Sequence, residues 1–224
     1  MGKIIVLPET TKEPITLIGK RAGICWGADI SDDTKNYNRG LDCIKSNHGR
    51  TLEYVNIELV LDGYSARAIR EYYTHIAGSP TRLQASTRYI NYQDGFDYFT
   101  PPSIENNKEA KTKYDDLMKY ISTTLIELED LGIPREDSAN GLPLGMMSTV
   151  VCKHNFRNLA DMSHQRECTR AYHEYRKLFK DICVALSKYS EEWKYLVENY
   201  FMPKCDLYGY CTEKKSCGRK DKIK

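Results

Sequence analysis

At 224 residues, 41% hydrophobic and 29% charged, the chain has the make-up of a globular protein and the length for one large domain, or one domain with small appendages. Its formal net charge of +2 argues against nucleic acid as the default partner, although local arginine clusters can still hold a phosphate. The apolar run Ile4 to Leu7 is too short for a signal-peptide core or a membrane span, so a cytoplasmic protein without membrane attachment is expected.

In chain order, residues 3–7 are predicted as a strand, and residues 22–28, with Gly23, Cys25, Trp26 and Gly27, as a buried, turn-rich segment. Residues 53–61 alternate, with Val55, Ile57, Leu59 and Leu61 on one face, and read as a strand ended by Asp62 and Gly63. Ser65 is the expected N-cap of a helix over 66–76, whose apolar stripe is Ile69, Tyr72, Tyr73 and Ile76. Gly78 and Pro80 break it, and a polar, arginine-rich loop is expected from Thr81 to Tyr89. A long amphipathic helix over 104–131 is marked by Tyr114, Leu117, Met118, Ile121, Leu125 and Leu128 and closed by Gly132 and Pro134. Residues 146–153 are β-prone, 155–168 and 169–187 have helical periodicity, and a last helix covers 191–200. Strands and helices mix without a βαβ rhythm, which predicts an α+β fold. There is no GxGxxG and no Walker A loop, so a Rossmann or P-loop nucleotide site is not expected.

Cys25, Cys43, Cys152, Cys168 and Cys183 lie scattered in apolar or amphipathic segments, where reduced cysteine packs as a small hydrophobe. Cys205, Cys211 and Cys217 are evenly spaced in a short, basic, glycine-containing tail. Zinc ribbons use CxxC pairs, and with no fourth ligand nearby in sequence no metal site is assigned.

Two segments carry candidate chemistry. From Thr81 to Tyr89, hydroxyls and guanidinium groups fall within a few residues, the donor set that a phosphate needs and equally the composition of a solvated loop. From Asn155 to Arg170, Arg157 and Asp161 stand at i and i+4, which also describes a surface ion pair.

The segment HGRTLEYVNIELVLDGYSARAIREYYTHIAGSPTRLQASTRYINY, from His48 to Tyr92, and the segment LPLGMMSTVVCKHNFRNLADMSHQRECTRAYHEYRKL, from Leu142 to Leu178, resemble the two central blocks of flavin-dependent thymidylate synthases of the ThyX type. The resemblance runs over about residues 20–200, and RAGICWG fits the family's early segment loosely. The family signature R-H-R-x-x-S-x-N-E-x-S-x-R-Y is altered here. Its R-H-R falls on Thr74, His75 and Ile76. Two extra residues around Ser79 and Pro80 then bring Thr81 onto the signature Ser, Leu83 and Gln84 onto N-E, and Ser86, Arg88 and Tyr89 onto S-x-R-Y. Glu71 replaces the upstream Gln, an Arg expected near Thr149 is missing, and Arg67, Arg70 or Arg82 is the candidate to supply the lost charge.

What the resemblance implies is a ThyX-like α+β fold, with a mixed or antiparallel sheet packed with long helices, a catalytic domain over 1–203 and a Cys-rich basic tail over 204–224. It further implies a homotetramer with active sites between subunits, methylating dUMP to dTMP with FAD as cofactor and methylene-tetrahydrofolate and NADPH as co-substrates. Arg166 and Ser86 are then the expected catalytic residues, and Glu71, Gln84, Ser86, Thr87, Arg88 and Arg166 the expected substrate contacts. Thr74, His75, Ile76, Leu83, Asn155, Arg157, Asp161 and Arg170 are the expected flavin contacts. The competing expectations are a related enzyme that leaves a hydroxymethyl group or uses dCMP, and a nucleic-acid-binding module built on the basic tail.

Overall fold

The computed structural model describes residues 2–222; Met1, Ile223 and Lys224, the outer ends of the two expected divisions, lie outside the described residues. The first half runs β1 (Lys3–Val6), α1 (Pro14–Cys25), α2 (Asp33–Lys45), α3 (Gly49–Leu52), β2 (Asn56–Ser65), α4 (Ala66–Tyr72) and β3 (Thr81–Gln84). The second runs α5 (Pro102–Glu105), α6 (Lys108–Asp130), α7 (Arg135–Ser138), a 3-10 turn at Ala139–Gly141, β4 (Met147–Asn155), α8 (Phe156–Arg166), α9 (His173–Tyr189), α10 (Glu191–Tyr200) and α11 (Lys204–Tyr208).

The four strands form one antiparallel sheet in the order β1-β2-β4-β3. Alternation in β2 sends Ile57, Leu59 and Leu61 to one face, and the register sets them opposite His154, Cys152 and Val150 of β4. All six are buried. Helices cover that face: α9 contributes Leu178, Phe179, Ile182 and Leu186, and α10 contributes Trp193 and Leu196, all fully buried. Each such side chain contributes about 1.5–3 kcal/mol of apolar transfer free energy. Glu13 gives α1 no side-chain cap. The Glu192 carboxylate on α10 accepts the amides of Ile15 at 2.6 Å and Thr16 at 3.1 Å instead, joining the two helices. Gly40 lets α1 and α2 touch, since a Cβ there would meet the Ile15 carbonyl oxygen at 2.0 Å.

Among the described residues, the opposite face of the sheet is left partly open. Ile5, Val60, Val151 and Leu83 are directly cross-paired over all four strands, and Leu83 is 70% exposed.

The α+β expectation is met, and several boundaries are corrected. Residues 22–28 are the end of α1 and an exposed tip, with Trp26 60% exposed. β2 does not stop at Asp62 and Gly63: a bulge at Gly63, with φ 70°, lets pairing resume at Tyr64 and run to Ser65. α4 ends at Tyr72, where the amides of Thr74 and His75 turn to the carbonyls of Glu71 and Tyr72, three residues back, and the chain then reverses through positive φ at Gly78 and Ser79 before Pro80. Thr81 to Gln84 are an edge strand on β4, not a loop, since β4 offers a free row of backbone donors and acceptors there. The expected helix over 104–131 is α5 and α6, separated where Asn107 caps α6 by accepting the Ala110 amide. Of its predicted stripe only Met118 and Leu125 are buried, and Leu117 is 50% exposed. The helical run 169–187 starts late, at His173. Among the described residues no helix is long and apolar enough to cross a membrane.

Candidate active site

Ser65 closes β2 and opens α4. Its hydroxyl accepts the Ala68 amide and donates to Glu174 on α9, and its own amide donates to the same carboxylate at 2.7 Å. Glu174 is buried, so it has lost its water and takes these donors in exchange. Fixing the start of α4 fixes where its end delivers Glu71, Thr74 and His75.

Arg166, the last residue of α8, meets all three. It donates from Nε to His75 Nε2 at 2.8 Å, from one terminal nitrogen to Glu71 Oε2 at 3.0 Å, and from the other to Thr74 Oγ1 at 3.3 Å. Its guanidinium lies over the Tyr175 ring, 4.4 Å from the centroid. The side chain is only 17% exposed, so these contacts act in a partly desolvated setting. A guanidinium only donates, so His75 Nε2 must be the accepting nitrogen and the proton sits on Nδ1. Burial, with the charges of Arg166 and Arg82 acting in the same direction, lowers the His75 pKa to about 4. His75 is therefore neutral at physiological pH.

A second, buried chain of donors holds the segment after α4. Asn158 on α8 donates to the Ala77 carbonyl and accepts from His154 Nδ1. That leaves His154 Nε2 to accept the Tyr72 hydroxyl, which stands 3.2 Å from Cys152 Sγ. Burial is the main cause of a His154 pKa near 4. Arg82, arriving on β3, donates to the His75 carbonyl and lies over the rings of Tyr72 and Tyr73. Among the described residues its Nε and the Tyr175 hydroxyl are buried polar atoms without a hydrogen-bond partner, which marks polar capacity left unused there.

Thr74, His75, Ile76, Asn158, Asp161 and Gln165 line an open cavity of about 430 Å³ together with Lys204 and Tyr208. Of the sequence-predicted residues, the structure thus brings together Glu71, Thr74, His75, Ile76, Asp161 and Arg166. Asn155 borders this group, capping α8 through the Asn158 amide and donating to the Gly78 carbonyl at 3.2 Å. Arg157 points elsewhere and pairs with Glu53 at 2.8 Å. Arg170 faces Glu213 at 3.8 Å. Leu83, Gln84, Ser86, Thr87 and Arg88 are not in the group. β3 is antiparallel to β4, so it carries them toward the Met147 end of β4, while Asn155 and α8 leave from the other end. There Gln84 donates to Ser148 at 3.2 Å, Ser86 accepts the Arg88 amide at 3.3 Å, and Arg88 pairs with Glu136 at 2.8 Å. Tyr72, His154, Asn158 and Tyr175 were missed by sequence reading. His154 carried a signal, since the alternation of β4 puts a polar ring on its buried face.

This α+β scaffold carries an arginine anchored at three points, next to residues that line a polar cavity. The chain belongs to the flavin-dependent thymidylate synthase family: the profile described as thymidylate synthase complementing protein matches residues 6–190. It is 25% identical over 93% of its length to the flavin-dependent thymidylate synthase of Nitratidesulfovibrio vulgaris, covering 91% of that protein. Against the enzyme of the same name from Sulfolobus acidocaldarius it is 31% identical over 61% of its length and 52% of the relative's. The fold superposes on ThyX from Helicobacter pylori, solved with FAD and dUMP, with a TM-score of 0.67 at 18% identity over 89% of this chain and 99% of that one. It superposes on the UMP/dUMP methylase PolB from Streptomyces cacaoi, solved with 5-Br dUMP, with a TM-score of 0.70 at 15% identity over 90% and 96%.

Proposed function

We propose that this protein methylates C5 of dUMP to give dTMP, with FAD as cofactor, methylene-tetrahydrofolate as one-carbon donor and NADPH as reductant, acting as a cytoplasmic homotetramer. The observation that carries the reading is the clamp of Arg166 by His75, Glu71 and Thr74. A guanidinium so fixed stabilises negative charge on a uracil carbonyl oxygen without reorganising when that charge develops.

The residues present fit a flavin. Neutral His75 offers Nδ1–H and a flat ring, Tyr175 and Arg82 have unused buried polar atoms, and Lys204 supplies a cation to the same cavity. Thr74, His75, Ile76 and Asn155 would hold it from the α4 side, with Asp161 on α8. When bound, the flavin supplies the redox chemistry and relays the one-carbon unit. The protein's part is to bind and orient. Ser86, the Thr87 backbone and Arg88 would hold the nucleotide phosphate, Arg166 the uracil ring, and Glu71 keeps Arg166 aimed and its charge balanced.

Within one chain Arg88 and Arg166 serve different ends of the sheet. This supports a site assembled from more than one subunit, and the open apolar row Ile5, Val60, Val151 and Leu83 supports the contact between copies. Arg157, Leu83 and Arg170, which stand outside the Arg166 group, then take their flavin roles against a neighbouring copy. Titration of dUMP into the purified yellow protein tests the reading. It should shift the visible flavin band in the parent protein and leave it unmoved in Arg166→Ala; a parent protein that binds no flavin, or whose flavin band ignores dUMP, contradicts it.

A further inference from the structure

The segment after α10 lies beyond the family profile and carries chemistry that the proposed reaction does not use. Cys205, Cys211 and Cys217 follow a C-x5-C-x5-C spacing, and the fold supplies a fourth thiol. Cys168, just past the end of α8, lines the same cavity of about 370 Å³ as the three tail cysteines. We propose that Cys168, Cys205, Cys211 and Cys217 form a tetrathiolate site for a structural divalent metal ion of the zinc class.

Three observations support this. First, the lobe over 204–222 has almost no apolar core: Cys211 is its one buried apolar residue, and Leu207 and Tyr208 are 50% and 48% exposed. It nevertheless has a defined path, with left-handed turns at Gly209 and Gly218 and a bridge between Cys211 and Lys222. A segment this small without a core is ordinarily fixed by a metal or by disulfides, and all eight cysteines are free. Second, Glu213, the carboxylate on this cavity, faces Arg170, which leaves the four thiols as its anionic ligands. Third, Arg170, Lys204, Arg219 and Lys220 line the cavity together with Arg166 of the candidate site, so the two negative charges of a four-thiolate zinc centre have counter-charges at hand.

Among the described residues no three His, Cys, Asp or Glu groups already stand at metal-binding spacing. Loading must therefore rotate the thiols inward and draw up the exposed stretch around Cys217. Binding replaces four S–H bonds by four metal–sulfur bonds and releases the protons to solvent.

The test uses the full chain purified without chelator from zinc-supplemented medium. Elemental analysis should give about one zinc per chain, released when the thiols are blocked with a mercurial. Cobalt(II) exchanged into the protein should show the near-ultraviolet thiolate charge-transfer band and the intense visible bands of a tetrahedral site. Cys168→Ser, Cys205→Ser and Cys217→Ser should each weaken zinc affinity by about tenfold or more, while Cys25→Ser, exposed and outside the cavity, retains it. The cobalt spectrum of the unaltered protein stands even if a variant fails to fold. Protein that takes up neither zinc nor cobalt, or a disulfide linking any two of the four cysteines in peptide maps of the freshly purified chain, would overturn the proposal.

Discussion

Arg166 Nε donates to His75 Nε2 at 2.8 Å, and this one bond sets the tautomer of the histidine and the aim of the guanidinium together. Neither residue is free to move alone. Arg166→Ala should lower kcat about 100- to 1,000-fold, the usual cost of removing a preorganised donor to a developing oxyanion. Arg166→Lys should recover little of it, because an ammonium cannot reach Glu71, His75 and Thr74 in one plane. Steady-state kinetics beside a flavin spectrum separates lost catalysis from lost cofactor.

The buried histidines predict acid sensitivity with a definite sign. The His154 pKa falls from an ordinary 6.5 to about 4 on burial, so folding favours its neutral form. Its contribution is complete above pH 6.5 and is lost as pH falls toward 4, about 3 kcal/mol in all. His75 titrates with the same sign. Thermal unfolding from pH 8 to pH 4 should show Tm dropping across that window, and His154→Gln should flatten the drop.

The Arg88 side chain is 62% exposed, pairs with Glu136 and lies over the exposed Tyr89 ring. Arg88→Ala should therefore leave Tm nearly unchanged. If Arg88 holds the phosphate, the same change should weaken dUMP binding about 10- to 100-fold, the worth of a charge-assisted hydrogen bond. Calorimetric titration with dUMP reads this directly.

Arg82 stands where the altered signature left a gap in positive charge. Arg82→Ala removes the bond to the His75 carbonyl and the stacking on Tyr72 and Tyr73, and should cost about 1–3 kcal/mol of stability. It should also lower the fraction of chains purified with flavin. Arg82→Lys should regain the stability in part and the flavin less. Denaturant unfolding and the visible spectrum check the two effects separately.

The open sheet face predicts association. Val151→Lys places a charge in the cross-strand row of Ile5, Val60, Val151 and Leu83 without entering the core. If the proposed tetramer forms through this face, light scattering should show smaller species for the variant than for the parent while the circular dichroism of the chain is retained.

The parts of this fold legible in the sequence are those with local causes. Ser65 was readable as a cap because a hydroxyl before an amphipathic run meets a free amide, and β2 because Ile57, Leu59 and Leu61 alternate. β3 was not readable: Thr81 to Gln84 are strand only because β4, some 65 residues later, presents an edge to them. The exposed side of α6 was unreadable for the opposite reason, since its periodicity is that of a buried helix. At the site, the residues of the family blocks led to Arg166, His75 and Glu71. The supporting network of Tyr72, His154 and Asn158 joins α4, β4 and α8, and no local pattern announces it. Cys168 likewise joins the tail cysteines only in three dimensions.

The central claim is tested most directly by supplying the purified protein with dUMP, NADPH and methylene-tetrahydrofolate and identifying the nucleotide formed by mass. The account predicts bound FAD and dTMP, formed about 100- to 1,000-fold more slowly by Arg166→Ala. A hydroxymethylated nucleotide, methylation of dCMP but not dUMP, or no turnover by flavin-loaded protein would contradict it.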